Sequence, residues 1–425
     1  MHADTRAAGI REHVLLSGYT TLRLGGPAAR FVEASSDEQL TAAVRAADLA
    51  TEPVLVLGGG SNLVVADEGF PGVVVRVATR GITITPAADD GARPGAGTAG
   101  AVTAGFGAAG SCAAGSGAGG AVPAGSCAAG DRGSWVAVTV AAGEDWDSFT
   151  DRCAAEQLSG LECLAGIPGL AGATPIQNVG AYGHEVAETI TSVRAYDRLR
   201  GQVVELANAD CGFGYRTSAF KARAGRPGAA MNPAAATGRF VVLAVTFRLG
   251  RDPLSAPVGY AELARALGVP VGGRVPLAEA RRAVLELRRG KGMVLDPADP
   301  DTRSAGSFFT NPVLDRGQFA ELGRRAAAGA ALRPGAPHAA VPHFAAAGGL
   351  VKVPAAWLIE NAGFGKGYPA GGNARISGKH TLALTNPGRA STADLMALAA
   401  EIRAGVRAAF GVELTSEPVL VGASF

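Results

Sequence analysis

Over the first 250 residues, apolar positions gather in short runs with the length and β-branched content of strands. Val54-Leu55-Val56-Leu57, Leu63-Val64-Val65, Val73–Val77, Trp135–Val140, Thr189–Tyr196, Gln202–Leu206 and Arg239–Leu249 all read this way. A further short strand is expected to run into the turn Gly25-Gly26-Pro27. Helical periodicity is rarer there. Ser36 can cap a helix, with Gln39 in the reciprocal capping-box place and Leu40, Val44 and Ala47 on its apolar face. A second helix is expected from about Trp146 to Leu158.

Beyond residue 250 the pattern turns helical. Leu277–Arg289 places Ala280, Val284 and Leu287 on one face, and Ala355–Ala362 is bounded by Pro354 and Gly363. Ser391 and Asp394 cap a long helix that ends near Phe410. The fold class expected is α+β.

The breaks between these runs carry the chemistry. Gly58-Gly59-Gly60-Ser61-Asn62 lies between two apolar runs, where successive backbone N–H groups can form an anion-binding nest. On these five residues alone a plain tight turn fits equally well. Gly166 to Gly183, GIPGLAGATPIQNVGAYG, has five glycines and two prolines in eighteen residues, and no charge until Glu185. A solvated surface loop would be richer in charge. An uncharged glycine-rich stretch suits close backbone approach to a flat ligand, so it reads as a cofactor cradle.

Composition narrows the field. Between Pro86 and Gly133, 30 of 48 residues are Gly or Ala, too few large side chains to offset the entropy of ordering, so a disordered insertion is expected. Gly95 to Gly100 within it fits GxGxxG, but with no strand before or helix after it the match is accidental. Ala222–Gly238 and Ala326–Leu350 are expected to be softer insertions of the same kind. A net charge of +2 without a basic stripe gives no invitation to nucleic acid. Neither a signal peptide nor a membrane span is expected. The five cysteines, Cys112, Cys127, Cys153, Cys163 and Cys211, form no CxxC, so reduced thiols in a cytoplasm are expected and no metal site.

Taken in order, LGGGSN, the cradle, FGYR, AGSFFTNP and the closing SEPVLVG resemble the UDP-N-acetylenolpyruvoylglucosamine reductase family over about residues 15 to 422. The cradle and AGSFF-x-NP are the specific motifs; GGGSN alone is weak. The resemblance implies a two-lobed FAD-binding region of the vanillyl-alcohol-oxidase type over residues 15–250 and an α+β substrate domain over 251–425. It implies UDP-N-acetylglucosamine enolpyruvate as the small-molecule substrate, with FAD as cofactor and NADPH as co-substrate; separately, a monomer is expected. By motif match Gly58, Gly59, Gly60, Ser61 and Asn62 face the FAD pyrophosphate. Gly166, Ile167, Pro168, Gly172, Ala173, Thr174, Ile176, Gln177, Asn178, Gly180 and Ala181 wrap the cofactor elsewhere.

The implied reaction delivers hydride to the enolpyruvyl methylene carbon and pushes negative charge toward the substrate carboxylate. That demands a fixed cation at the carboxylate and a proton donor at the neighbouring carbon. The family matches are Arg216 for the cation, Ser307 for the donor and Glu417 in support. Taken locally, the three read as a turn arginine, a turn hydroxyl and a solvated glutamate before a proline; the motif order reverses those odds. Tyr215, Tyr260, Lys291 and Asn311 match substrate-side positions, with Tyr260 in the loop of one family branch. Leu170 stands where serine is common, and Thr310 where lysine often follows SFF. Two other readings remain at this stage: an FAD oxidase tethering its flavin through Cys163 or His184, and a non-catalytic nucleotide-sugar binder.

Overall fold

The computed structural model describes residues 9–86, 134–221, 237–328 and 340–425. Most of the expected disordered insertion, 87–133, lies outside the described residues, as do 222–236 and 329–339.

Two main sheets and two α-helices build the described residues of the first half. Arg11–Leu15, Pro27–Ala34, Phe70–Val77 and Val54–Leu57 form one sheet in that spatial order; its last three strands are parallel and Arg11–Leu15 is an antiparallel edge. Asp37–Leu49 is the first helix, and Leu40, Val44 and Ala47 are buried as the periodicity predicts. Its cap differs by one residue. Ser36 accepts from Gln39 N, but the Gln39 side chain turns back to the N–H of Ser35. The strand expected ahead of Gly25 is displaced too: Arg11–Leu15 is the strand, and Leu16–Tyr19 is a 3-10 turn.

The second sheet is antiparallel. Its order is Gln202–Ala207, Ile190–Asp197, Phe240–Arg251, Trp135–Ala141, Ile82–Pro86, with Leu158–Ser159 pairing the far end of the third of these. Trp146 and Phe149, from the helix Trp146–Ala155, pack against Phe247 with ring centroids 5.9 and 5.7 Å away. One buried cluster joins this sheet to the inner face of the first helix, so the two lobes share a core.

From about residue 304 on, the chain packs around the helix Thr392–Phe410, whose Leu395, Leu398, Ala399, Ile402 and Val406 are buried with Phe308 and Phe309; residues 258–285 instead share a smaller core with Cys163 and Ala165. Helices Leu277–Gly290 and Ala355–Asn361 form where periodicity placed them. Ala261–Leu267 and Arg316–Ala327 were not foreseen: the first is only seven residues long, and alanine dilutes the apolar stripe of the second. Ala326 is therefore a buried helical residue rather than loop, and Phe344–Ala345 pairs with Val351–Lys352 inside the stretch expected to be soft.

A strand pair and a helix cap are among the links that fasten the C-terminal part to the first lobe. Val419–Val421 runs parallel to Leu63–Val65, and the Asp67 carboxylate accepts from Thr392 N and Ala393 N at 2.8 and 2.9 Å. A carboxylate at a helix N-terminus satisfies orphan N–H groups and meets the positive end of the helix dipole. Among the described residues, no helix is long and apolar enough to cross a membrane.

Candidate functional site

Backbone pairing brings the distant motifs together. Asn62 O accepts from Val419 N at 3.0 Å, Phe308 O from Glu417 N at 2.8 Å, and Thr415 O from Thr310 N at 3.0 Å. Ser307 ends the strand Ser304–Ser307, opposite Ala383, and Thr21 Oγ1 donates to Ser304 O at 2.6 Å. The GGGSN turn, the AGSFF strand and the C-terminal segment are thus one hydrogen-bonded unit.

The cradle faces that unit across a cavity of about 290 Å³. Gly58 to Asn62 line one wall; Ile167, Pro168, Ala173, Thr174, Ile176, Gln177 and Gly180 line the other, and Arg216, Ser307 and Glu417 all reach it. The two glycine turns nearly touch at one end. A Cβ on Gly59 would lie 2.7 Å from the Cα of Gly169, and one on Gly60, at φ +61°, would lie 1.9 Å from Tyr19 O. Here glycine is demanded by contact with other backbone.

Other matched residues are not on the cavity wall. Gly172 packs behind it, where a Cβ would come within 2.4 Å of Ala142 Cβ, and Gly166 lies against Leu285 and Val294. Asn178 braces the cradle instead: its amide donates to Glu185 Oε2 at 2.6 Å and to Gly214 O at 3.2 Å, and its Oδ1 accepts from Ala187 N. Ala181 pairs with His184 in the short hairpin after the cradle.

Arg216 sits in a left-handed turn at φ +52°. Its Nε lies 3.1 Å from Glu417 Oε1, and its Nη1 and Nη2 donate to Asn178 O and Gly180 O at 3.3 and 2.9 Å. The guanidinium therefore ties the C-terminal carboxylate to the cradle backbone. Burial raises the Glu417 carboxyl above the ordinary glutamate range, although the nearby cations Arg216 and Lys221 pull it down.

The substrate-side matches divide. Tyr215 and Asn311 line a second, more open depression of about 770 Å³ that also includes Arg216 and Lys221, so Arg216 stands where the two spaces meet. Asn311 Oδ1 is held by Ala355 N at 2.9 Å. Tyr260 and Lys291 reach neither space. Tyr260 is buried edge-on to Tyr182 with centroids 5.6 Å apart, and Lys291 pairs with Glu262 at 2.6 Å beneath the same Tyr182 ring.

Three basic residues escaped the sequence reading. Lys221 bridges the Arg216 carbonyl and the Gln177 side chain; standing five residues after Arg216, it could have been found by asking what steadies that turn. Lys352 lies over the Tyr215 ring, 4.8 Å from its centroid. Arg288 lines the main cavity with Nη2 bonded to Gly166 O and Met293 O, and its buried Nε has no partner among the described residues. Helical position alone made it one more polar-face residue.

The donor set fits a flavin dinucleotide. Among the described residues no acceptor is hydrogen-bonded to the N–H groups of Gly58 to Asn62, which line the cavity, and Arg288, whose buried Nε has no partner, lines the same space. Unsatisfied N–H groups and an uncompensated guanidinium call for an anion, as a pyrophosphate supplies. The apolar side chains of Val56, Ile167, Leu170 and Ile176 offer a dry surface for a ring system. Leu170 thus adds apolar wall where serine is common in the family. A tethered flavin has no support. Cys163 is buried among apolar side chains, His184 is engaged at both ring nitrogens, and neither lines the cavity.

Comparison with known proteins agrees. Residues 132–207 match a family model described as FAD binding domain, and residues 297–421 one described as UDP-N-acetylenolpyruvoylglucosamine reductase, C-terminal domain. UDP-N-acetylenolpyruvoylglucosamine reductase of Thermobifida fusca is 48% identical over 410 residues, 96% of this chain and 97% of its own length. That of Salinispora arenicola is 50% identical over 408 residues, covering 96% and 94%. In fold, the chain is similar to the crystal structure of UDP-N-acetylenolpyruvylglucosamine reductase from Thermus caldophilus, with a TM-score of 0.54 at 24% identity over 97% of this chain and 99% of that one. The chain belongs to the UDP-N-acetylenolpyruvoylglucosamine reductase family and is an FAD-dependent oxidoreductase of peptidoglycan precursor synthesis.

Proposed function

We propose that the enzyme reduces the enolpyruvyl group of UDP-N-acetylglucosamine enolpyruvate to give UDP-N-acetylmuramate, with NADPH as the reductant. The observation that carries this reading is the convergence of Arg216, Ser307 and Glu417, from three distant segments, on one cavity beside the glycine turns. Residues 15–250 are assigned to FAD and 251–425 to substrate, and the enzyme acts as a cytoplasmic monomer.

FAD, when bound, would supply a two-electron carrier between NADPH and the enolpyruvyl group. Gly58 to Asn62, with Arg288, would hold its pyrophosphate, and the cradle residues on the cavity wall, Ile167, Pro168, Ala173, Thr174, Ile176, Gln177 and Gly180, would hold its rings. Arg216 then faces the substrate carboxylate. Its fork is fixed by two cradle carbonyls and by Glu417, so it meets the developing negative charge without reorganising. Ser307 Oγ gives a proton to the carbon next to the one that takes hydride. A serine hydroxyl is a weak acid, and the negative charge accumulating beside it drives the transfer. Glu417, with its raised proton affinity, stands beside the serine strand, placed to help supply a fresh proton to the serine. Tyr215, Asn311, Tyr260 and Lys291 are assigned to the sugar nucleotide; Tyr260 must leave its buried place to reach it.

The test is an NADPH-oxidation assay with and without the enolpyruvyl sugar nucleotide, scored for UDP-N-acetylmuramate. NADPH consumption in step with product formation supports the reading. Consumption that does not respond to the sugar nucleotide refutes it.

A further inference from the structure

The turn that carries Arg216 is docked on the cradle by a ladder of contacts. Ser218 Oγ donates to Ile176 O at 2.7 Å, Arg216 donates to Asn178 O and Gly180 O, and Asn178 returns a hydrogen bond to Gly214 O. Lys221 is the charged rung. Its Nζ donates to Arg216 O at 3.2 Å and to Gln177 Oε1 at 3.3 Å, so one ammonium joins the backbone of the cationic residue to a side chain on the cavity wall.

Two features make this more than a surface contact. Arg216 holds a left-handed φ of +52°, a conformation that a residue with a long side chain keeps only when its surroundings fix it. A cation on its carbonyl oxygen is such a constraint. Lys221 is also half-buried, and burial lowers its proton affinity while the Glu417 carboxylate supports its charge. Arg216, Glu417 and Lys221 thus form one plus–minus–plus group at the junction of the two spaces, and Tyr215, Glu185 and Lys352 are further titratable side chains that sense the Arg216 charge.

We propose that Lys221 is a positioning residue for reduction of the enolpyruvyl group: it locks the Arg216 turn onto Gln177 and supplies the second cation behind Glu417. This rests on the function proposed above. Without the Lys221 charge the Arg216 fork loses its fixed aim, and the Glu417 proton is held more tightly. Gln177 carries any loosening of the turn directly to the cofactor wall.

The test compares FAD-loaded wild type, Lys221→Met, Lys221→Gln and Lys221→Arg. Each is reduced anaerobically with NADPH and mixed with the enolpyruvyl sugar nucleotide across pH. Lys221→Met and Lys221→Gln are expected to slow reoxidation about tenfold or more, the scale of losing a charge-assisted hydrogen bond. The pH limb that tracks Glu417 should move up in both, whichever protonation state the step needs. Lys221→Arg should keep the wild-type limb. A limb that does not move in the two uncharged variants overturns the proposal, even if their rates fall, because a purely structural lysine would give that result. Should Lys221→Met fail to fold, Lys221→Gln against Lys221→Arg decides. A wild-type enzyme that the sugar nucleotide does not reoxidise overturns the underlying reading instead.

Discussion

Arg216 Nε lies 3.1 Å from Glu417 Oε1, although 200 residues separate them and they reach the site on different parts of the fold. The arginine comes from the turn after the second lobe's edge strand; the glutamate comes from a C-terminal segment stitched to Phe308 and Asn62. One ion pair therefore joins the cradle side of the cavity to the serine side. A partly buried pair of this kind is better suited to fixing geometry than to adding stability, since desolvation offsets much of its Coulomb gain.

Arg216→Lys should keep the charge but lose the fork, because one ammonium cannot replace donors aimed at Glu417, Asn178 O and Gly180 O together. We expect kcat to fall roughly 100-fold, the scale of removing one preorganised donor, with FAD content unchanged. Steady-state kinetics on protein of measured FAD content checks this. A kcat within about threefold of wild type would show that charge alone suffices.

Two neighbouring glycines should behave differently. A Cβ on Gly60 meets Tyr19 O at 1.9 Å, whereas on Gly58 its nearest neighbour is 3.8 Å away. Gly60→Ala should lower the stability of the apoprotein by about 1–3 kcal/mol or more, since strain and collision act together. Gly58→Ala should leave apoprotein stability unchanged and weaken FAD binding, because its methyl group stands on the cavity wall. Thermal unfolding with and without FAD separates the two, and equal apoprotein losses would contradict the assignment.

Removing the Asp67 carboxylate should loosen the C-terminal part from the first lobe. Asp67→Ala leaves Thr392 N and Ala393 N without their acceptor, an expected loss of about 1–2 kcal/mol. Denaturant unfolding measures it directly. A change below about 0.5 kcal/mol would mean that the remaining links, the strand pairing of Val419–Val421 among them, hold the lobes without it.

His184 gives the fold a pH-dependent contact. Burial opposes its charge, but the Glu188 carboxylate 2.9 Å from Nδ1, the Glu162 charge and the Pro257 carbonyl 3.2 Å from Nε2 outweigh it and raise its pKa above the ordinary value of 6.5. A histidine with a raised folded pKa stabilises fully below its unfolded value, and that stability is lost as pH rises through the folded one. The wild type should therefore lose more stability than His184→Gln from about pH 6.5 upward. Parallel melting curves across that range in both proteins would contradict it.

The sequence was most readable where burial follows a simple period. Leu40, Val44 and Ala47 form the inner face of their helix as expected, and the strand runs at 54–57, 63–65 and 202–207 appear within a residue of their expected places. It was least readable where alanine erased contrast, which concealed the helix Arg316–Ala327. The site followed the same division. The glycine turns and the three chemical side chains were visible as motifs. Lys221, Lys352 and Arg288 were not, since a lysine or arginine becomes distinctive only through what it touches. Glycine itself was ambiguous: Gly58 lines the site with room for a side chain, while Gly59, Gly60 and Gly172 are glycine because neighbouring atoms leave no room.

Ser307 provides the most direct test of the proposed chemistry. Wild type and Ser307→Ala, each loaded with FAD, are reduced by NADPH under anaerobic conditions and then mixed with UDP-N-acetylglucosamine enolpyruvate while flavin absorbance is followed. The account predicts that Ser307→Ala bleaches with NADPH as the wild type does and then fails to regain its colour, with reoxidation slowed by at least about 100-fold, as loss of a positioned proton donor implies. Reduction and reoxidation slowed alike, or reoxidation at the wild-type rate, would contradict it.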